Sequence, residues 1–238
     1  AYLIQSDRQI SPRFAEFSSQ FRESFSDIWS TMKITNTDID AVYTWVNNSD
    51  PAWQSLYKKV GNRRPQDMHC SAAASSRFKD RGELIHSVRS LKKYAPWVRK
   101  IFLVSNCSFP QWAVDDEQIT CISHETIFPD LDCLPTFNSH AIEACIHLIP
   151  GLSEHFIYLN DDVFIMQPVA KVDFFPEPGH INIFVTSHPI PDASQANLRP
   201  AEHAMLRTCE LLVERFEFKP ELKLHHAPFP LLKKTMQR

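Results

Sequence analysis

The chain has 238 residues, 43% of them hydrophobic, with a formal net charge of −3. That length and apolar content suit one large domain with an extension, and so small a charge gives no general attraction to nucleic acid or anionic membranes. Only 4 glycines stand against 17 prolines and neither glycine-rich phosphate-loop pattern occurs, so any phosphate must be met by side chains, helix N-termini or a metal ion.

Cys70, Cys107, Cys121, Cys133, Cys145 and Cys209 form no CxxC pair, which leaves a zinc ribbon or thioredoxin-type site without support. Most read as small core residues in a reducing compartment, Cys121 in a strand and Cys145 in a helix. No apolar run reaches transmembrane length and no signal peptide is visible. The chain opens on Ala1 without a methionine, so a piece of a longer protein is expected.

In chain order, residues 11–33 predict an amphipathic helix. Ser11 caps it, Pro12 opens it, and Phe14, Phe17, Phe21, Phe25, Ile28 and Met32 form its stripe. It makes residues 1–36 an N-terminal extension ahead of a main domain over 37–238. Ile39 to Val46 predicts a strand ending in the polar cluster Asn47 to Asp50. Asp50 caps a helix that begins at Pro51 and presents Trp53, Leu56, Tyr57 and Val60. Residues 61–76 lack periodicity and read as a mobile loop. Asp80 and Glu83 stand in capping-box positions before a helix whose stripe is Leu84, Val88 and Leu91. Strands over Lys100 to Val104 and Ile119 to Ile122 end in Ser105-Asn106 and Ser123-His124. Ser139 caps a helix carrying Ile142, Cys145, Ile146 and Ile149. The strand Phe156 to Leu159 then runs into Asn160-Asp161-Asp162. Beyond it, residues 181–186 suggest a strand, residues 200–216 a helix with Ala204, Leu211, Leu212 and Phe216 inward, and the last residues the start of another helix.

This alternation predicts an α/β fold, a mainly parallel sheet flanked by helices. Ligands of such sheets sit outside the carboxyl ends of the strands, so the polar clusters are expected to converge on one crevice. The Asp161 and Asp162 oxygens suit Mg²⁺ or Mn²⁺ bridging to a diphosphate; a solvated turn is the plainer alternative. Glu143, read in the first turn of its helix, either complements the helix dipole or acts as a general base with a pKa raised by partial burial. His140, Glu143 and His147 share a helix face, but a further ligand at metal-site spacing is missing. His226 lies in an irregular segment near Pro228, where a titratable group can be held against a substrate. Arg77, Arg89, Arg99 and Lys100 are candidate cations for phosphate, Arg77 the most interesting because it stands between the loop and the capped helix.

The stretch Ile39 to Asp50 resembles the first conserved region of the Stealth family. Arg77 to Leu84, Arg89-Ser90, Ala95 to Asn106, Leu134 to Glu143, Ile149 to Ser153 and Tyr158 to Asp162 resemble the second region, in order. Leu224 to Pro228 is similar to the start of the third. The family contains bacterial capsular-polysaccharide phosphotransferases and the Golgi N-acetylglucosamine-1-phosphotransferase. The resemblance implies a GT-A or Rossmann-like nucleotide-sugar-transferase architecture and a phosphotransferase catalytic domain over 37–238 lacking its C-terminal part. It implies transfer of a sugar-1-phosphate from a nucleotide-diphosphate sugar to the hydroxyl of a polysaccharide or glycan, releasing a nucleoside monophosphate. Glu143, Asp162 and His226 fall where the family has catalytic residues, with the base either Glu143 or His226. Asn47, Asp50 and Arg77, joined by Asn106 of the second polar cluster, would shape the nucleotide-sugar site. Asp161 and Asp162 would hold Mg²⁺ or Mn²⁺.

The rival readings are a metal-dependent glycosyltransferase releasing a nucleoside diphosphate and a non-catalytic sugar-binding module. A bacterial member would work in the cytoplasm, peripheral to the inner membrane, and a eukaryotic one in the Golgi lumen. Two departures stand out. A functional Arg beyond the third region would lie past Arg238, and residues 186–203 differ from the Asn/Arg-rich segment of bacterial members.

Overall fold

A computed structural model of the chain describes residues 37–61, 75–194 and 197–237. The helix expected over 11–33 and most of the loop expected over 61–76 lie outside these residues. The elements are β1 (Ile39–Thr44), α1 (Pro51–Gly61), α2 (Glu83–Tyr94), β2 (Ile101–Ser105), α3 (Gln111–Val114), β3 (Ile119–Ser123), α4 (His124–Ile127), α5 (Ser139–Cys145), β4 (His155–Asn160), α6 (Lys171–Phe174), β5 (Val185–Pro189), α7 (Pro200–Phe216), β6 (Leu222–Leu224), β7 (Phe229–Leu232) and α8 (Lys233–Met236).

The main sheet has the order β3-β2-β1-β4-β7. β1 pairs in parallel with β2 and β4, β2 with β3, and β7 closes the edge antiparallel to β4. The apolar runs are buried on both faces, as a parallel sheet requires. Ile39, Ala41, Tyr43, Ile101, Leu103, Ile157 and Leu159 meet Trp53 of α1 and Leu84, Val88 and Leu91 of α2. The alternate residues Val42, Phe102, Val104, Phe156 and Tyr158 meet Ile127, Ile146 and Ile149 on the other face. The strand order runs outward from β1 to β3 on one side and to β4 on the other. Its switch point therefore lies between β1 and β4, the place where an α/β sheet opens a ligand crevice.

Local chemistry explains the frame. Asp50 caps α1, its Oδ1 accepting from the N–H groups of Ala52 at 2.7 Å and Trp53 at 3.1 Å. At the amino end of the sheet Asp40 is fully buried. Its carboxylate accepts from Arg99 Nε at 2.9 Å and Nη2 at 2.6 Å, and from the Ser153 N–H at 2.7 Å. Arg99 is thus committed at the end of the sheet remote from the crevice, which removes it from the candidate phosphate ligands. Asp40→Ala leaves the part-buried Ser153 N–H without its acceptor, while Arg99, 36% exposed, keeps Asp38 at 3.7 Å and the Gly151 carbonyl at 3.0 Å. It is expected to cost about 1–3 kcal/mol in urea unfolding, and a loss below about 0.5 kcal/mol would refute this account of the pair.

Several local expectations change. α2 begins at Glu83 with left-handed Gly82 (φ 86°) before it and no side-chain cap. Glu83 and Asp80 accept instead from the N–H groups of Arg81 and Gly82, tightening the approach to the helix. α5 is capped by Asn138, whose side chain accepts from the His140 N–H, so Ser139 is the first helical residue. The strand expected at 181–186 forms later, over Val185–Pro189, and pairs with β6 in a separate two-stranded ribbon. α7 spans the expected residues but buries none of them, with Leu211 41% and Phe216 44% exposed. The inward placement of Ala204, Leu211 and Phe216 is therefore overturned, and Leu212 is only half-buried: the ribbon beside α7 offers no sheet face wide enough to bury that stripe.

Candidate functional site

β4 delivers Asn160 level with Thr44 of β1, at the switch point. The segment leaving the aspartates is held from the opposite face. Ser87 of α2 donates to the Val163 carbonyl, and Ser90 Oγ accepts from the Ile165 N–H at 3.0 Å. Tyr43 of β1 joins this clamp through a 2.9 Å hydrogen bond with Ser87 Oγ. The aspartates are therefore held between a strand end and a pinned return, a firmer mounting than a free turn.

Asp162 meets His226, whose Nε2 lies 3.0 Å from Asp162 Oδ1. These residues are 64 positions apart. His226 reaches the site because it sits on the link from the β5–β6 ribbon to β7, and β7 pairs with β4 through Tyr158 opposite Phe229. The hydrogen bond to Asp162 raises the His226 pKa, aided by the charges of Asp162, Asp161 and Glu143. The same bond holds Asp162 below its ordinary value. Asp161 moves the other way: burial, then the charges of Asp162, Glu83 and Asp80, push it up to about 7. Two adjacent carboxyls with opposite shifts mark a site with surplus negative charge.

Glu143 closes the group. It is the fifth residue of α5 rather than part of the first turn, so it owes nothing to the positive end of the helix dipole. Burial raises its pKa, opposed by His140, by a hydrogen bond with Tyr158, by Ser139 and by His226. Tyr158 is the residue the sequence reading missed. Its hydroxyl donates to Asn160 Oδ1 at 2.7 Å and lies 2.8 Å from Thr44 Oγ1, which donates to it in turn. A tyrosine late in an apolar strand was the available signal, since a buried phenol needs polar company.

The remaining predicted residues frame the crevice. Asn47 Oδ1 accepts from the Ser49 N–H at 2.9 Å, and its backbone N–H donates to Cys107 Sγ at 3.2 Å. Asp50 is 7% exposed. Besides capping α1 it takes the Ser108 N–H at 2.5 Å on Oδ2. Burial would raise its pKa, but the N–H donors of Ser108, Trp53 and Ala52 outweigh it and hold the carboxylate ionised. Asp50 therefore locks the β1–α1 and β2–α3 loops together, shaping the crevice with both oxygens already engaged. Arg77 is exposed on the turn Ser75–Phe78, which joins the same loop through the Asn48 N–H to Phe78 carbonyl bond of 2.8 Å. Trp53, Tyr57, Phe78 and Phe137 pack as an aromatic cluster, with centroids 4.7–5.3 Å apart. The cluster ties this loop to the segment leading into α5. Asn106 lies with His124 at the β2–β3 end of the crevice. Among the described residues no group of three or more His, Cys, Asp or Glu side chains converges as a metal centre, the His140–Glu143–His147 face included. No helix among them is long and apolar enough to cross a membrane.

A switch-point crevice carrying two aspartates, a histidine and a half-buried glutamate places the chain among α/β proteins that work on ligands at strand ends. The particular family is set by comparison. The Stealth protein CR1 model, conserved region 1, matches residues 37–64, and the Stealth protein CR2 model, conserved region 2, matches residues 77–183. Together they span more than half of the chain, which belongs to the Stealth family. It is 41% identical over 201 residues to an exopolysaccharide phosphotransferase of Streptomyces coelicolor, covering 84% of this chain and 21% of that protein. It is 39% identical over 206 residues to a capsular polysaccharide phosphotransferase of Actinobacillus suis, covering 85% and 55%. It is 37% identical over 224 residues to another from Haemophilus influenzae, covering 91% and 60%. The chain thus spans from about a fifth to three fifths of these curated relatives. Leu224 to Pro228, expected to resemble a third region, lies outside both matched regions.

Proposed function

We propose that the full-length protein transfers a sugar-1-phosphate from a nucleotide-diphosphate sugar to a sugar hydroxyl, in the assembly of capsular or cell-surface polysaccharide. The observation that carries this reading is the meeting of Glu143, Asp161, Asp162 and His226 at the switch point, on a chain about 40% identical to proteins named polysaccharide phosphotransferases. A cytoplasmic location, peripheral to the inner membrane, goes with it.

The acceptor oxygen forms a bond to the β-phosphorus while the bond from that phosphorus to the nucleoside monophosphate breaks. The C1–O bond of the sugar is untouched, so its configuration is kept. Phosphoryl transfer needs alignment and charge neutralisation more than covalent help. We assign Glu143 as the base: burial raises its pKa towards the range where a carboxylate takes a hydroxyl proton efficiently. His226, its pKa raised and its Nε2 on Asp162, orients that carboxylate. Arg77 stands at the mouth to meet phosphate charge.

Asp161 and Asp162 would hold Mg²⁺ or Mn²⁺. The fit rests on Asp161, which burial first, and then the charges of Asp162, Glu83 and Asp80, push up to about 7; the charge part of that shift is what a cation would relieve. When bound, the ion would supply positive charge to the donor diphosphate.

The deciding experiment incubates the full-length protein with a nucleotide-sugar panel and an acceptor glycan. A nucleoside monophosphate released in step with product is the expected outcome; a nucleoside diphosphate would replace this reading by glycosyl transfer.

A further inference from the structure

Tyr158 stands at a junction to which the transfer chemistry gives no task. In β4 its side chain falls on the same face as Phe156 and Asn160. That face packs against Ile142 of α5 and Ile146 just beyond it, on either side of Glu143. The ring is therefore held in an apolar layer, and Tyr158 is only 6% exposed. Its hydroxyl reaches three elements at once. Thr44 Oγ1 of β1 lies 2.8 Å away, and Asn160 Oδ1, at the end of β4 that carries the aspartates, lies 2.7 Å away. The Glu143 carboxylate of α5 shares a further hydrogen bond with it.

One proton serves these three oxygens. A phenol donates a single hydrogen bond and accepts through its lone pairs. Thr44 Oγ1 donates to it, which leaves the Tyr158 proton for Asn160 Oδ1 or for Glu143. Burial, and then the charge of Glu143, hold the phenol well above its ordinary pKa, so it keeps that proton and serves as a donor rather than a base. Towards an ionised carboxylate the bond is charge-assisted and roughly twice as strong as a neutral one. The hydroxyl therefore grips Glu143 while Glu143 is charged, and turns to Asn160 once Glu143 has taken up a proton. Of the other groups acting on Glu143, Ser139 and His140 ride on its own seven-residue helix and His226 on the link to β7. Tyr158 is what joins the glutamate to the parallel sheet.

Resting on the phosphotransfer reading above, we infer that Tyr158 is a positioning residue: its hydroxyl holds the Glu143 carboxylate in register with the strand end that carries Asp161 and Asp162. It touches no substrate and acts through Glu143. A base works only within hydrogen-bond reach of the proton it takes, and a short helix alone leaves its carboxylate free to swing. The sheet supplies the fixed reference, because Thr44 and Asn160 are paired in register at the switch point and both bond the same hydroxyl.

Steady-state kinetics of the full-length protein with Tyr158→Phe test this. Phenylalanine keeps the ring in its layer and removes the hydroxyl alone. Thr44 and Asn160 are only half-buried, so water can replace the lost partner and the variant should fold. kcat should fall about 10–100-fold, the scale of a reacting group misplaced by about an ångström, with KM for donor and acceptor within about twofold of wild type. Introduced into Glu143→Gln, the same change should cost no more than about threefold further, since a residue that acts through another adds little once that one is gone. Thr44→Val removes a bond to the same hydroxyl but leaves its proton for Glu143, and should cost less than Tyr158→Phe. A near-normal kcat in Tyr158→Phe overturns the assignment, as does an equal loss with and without Glu143. A large fall in the melting temperature of Tyr158→Phe would make the hydroxyl structural and overturn it too. Release of a nucleoside diphosphate by the wild type would remove the phosphotransfer, yet the coupling of Tyr158 to Glu143 would still be read from turnover. A released monophosphate with independent losses would keep the transfer and remove the positioning role.

Discussion

Asp162→Asn in the full-length protein is expected to lower the turnover of sugar-phosphate transfer by about 10²–10³-fold, the range seen when one preorganised electrostatic contact to a transition state is removed. Asparagine keeps the shape and can still accept from His226 Nε2, so the mount survives. What is lost is the negative charge that raises the His226 pKa and that a divalent cation needs. Thermal unfolding should hardly change, because both partners are substantially exposed, 59% for Asp162 and 39% for His226. Turnover within threefold or so of wild type would remove Asp162 from the mechanism. A large fall in the melting temperature would instead make its role structural.

Glu143→Gln is expected to cost about 10²–10⁴-fold in turnover with little change in donor affinity, the usual worth of a positioned base. The pH dependence separates it from His226. As the base, Glu143 must be ionised, so activity falls as pH drops through its pKa, which burial holds above the ordinary 4.5. Charged His226 offsets the surplus negative charge around Asp162, and that positive charge is lost, though a neutral Nε2–H can still donate, as pH rises through its pKa, held above the ordinary 6.5; activity is expected to fall there. A bell follows, with Glu143 on the acid limb and His226 on the alkaline limb. His226→Gln should flatten the alkaline limb and leave the acid one. An acid limb centred above 6.5 that vanishes in His226→Gln, with turnover preserved in Glu143→Gln, would transfer the base to His226. The two groups interact, so the limbs report the cluster as well as each side chain.

The aspartate pair was legible because its signal is local: an apolar run of strand length followed at once by carboxylates. The crevice was legible for a related reason. Each strand announces its own end, and a parallel sheet places all those ends on one side. Glu143 was found as a residue, but its position within α5 was misread, because the cap chosen was Ser139 and the structure uses Asn138, one residue earlier. Arg99 was misread more deeply. Nothing near it in the chain shows that Asp40, 59 positions away and fully buried, takes both its Nε and Nη2. α7 shows the reverse error: its sequence has an apolar stripe, but burying a stripe requires a neighbour, and neighbours are assigned by topology.

What this sequence determined by itself is periodic and nearest-neighbour: the strands β1 to β4, the main helices, the cap at Asp50 and the acidic strand end at Asn160-Asp161-Asp162. Those features depend on side-chain period and on hydrogen bonds within a few residues. The tertiary structure alone decided which charges are spent and which remain. It set Arg99 on Asp40, engaged both oxygens of Asp50 with backbone N–H groups, brought His226 to Asp162 through β7, and put Tyr158 between Thr44, Asn160 and Glu143. Coulomb and hydrogen-bond energies depend on distance in space and on burial, and no spacing along the chain records either.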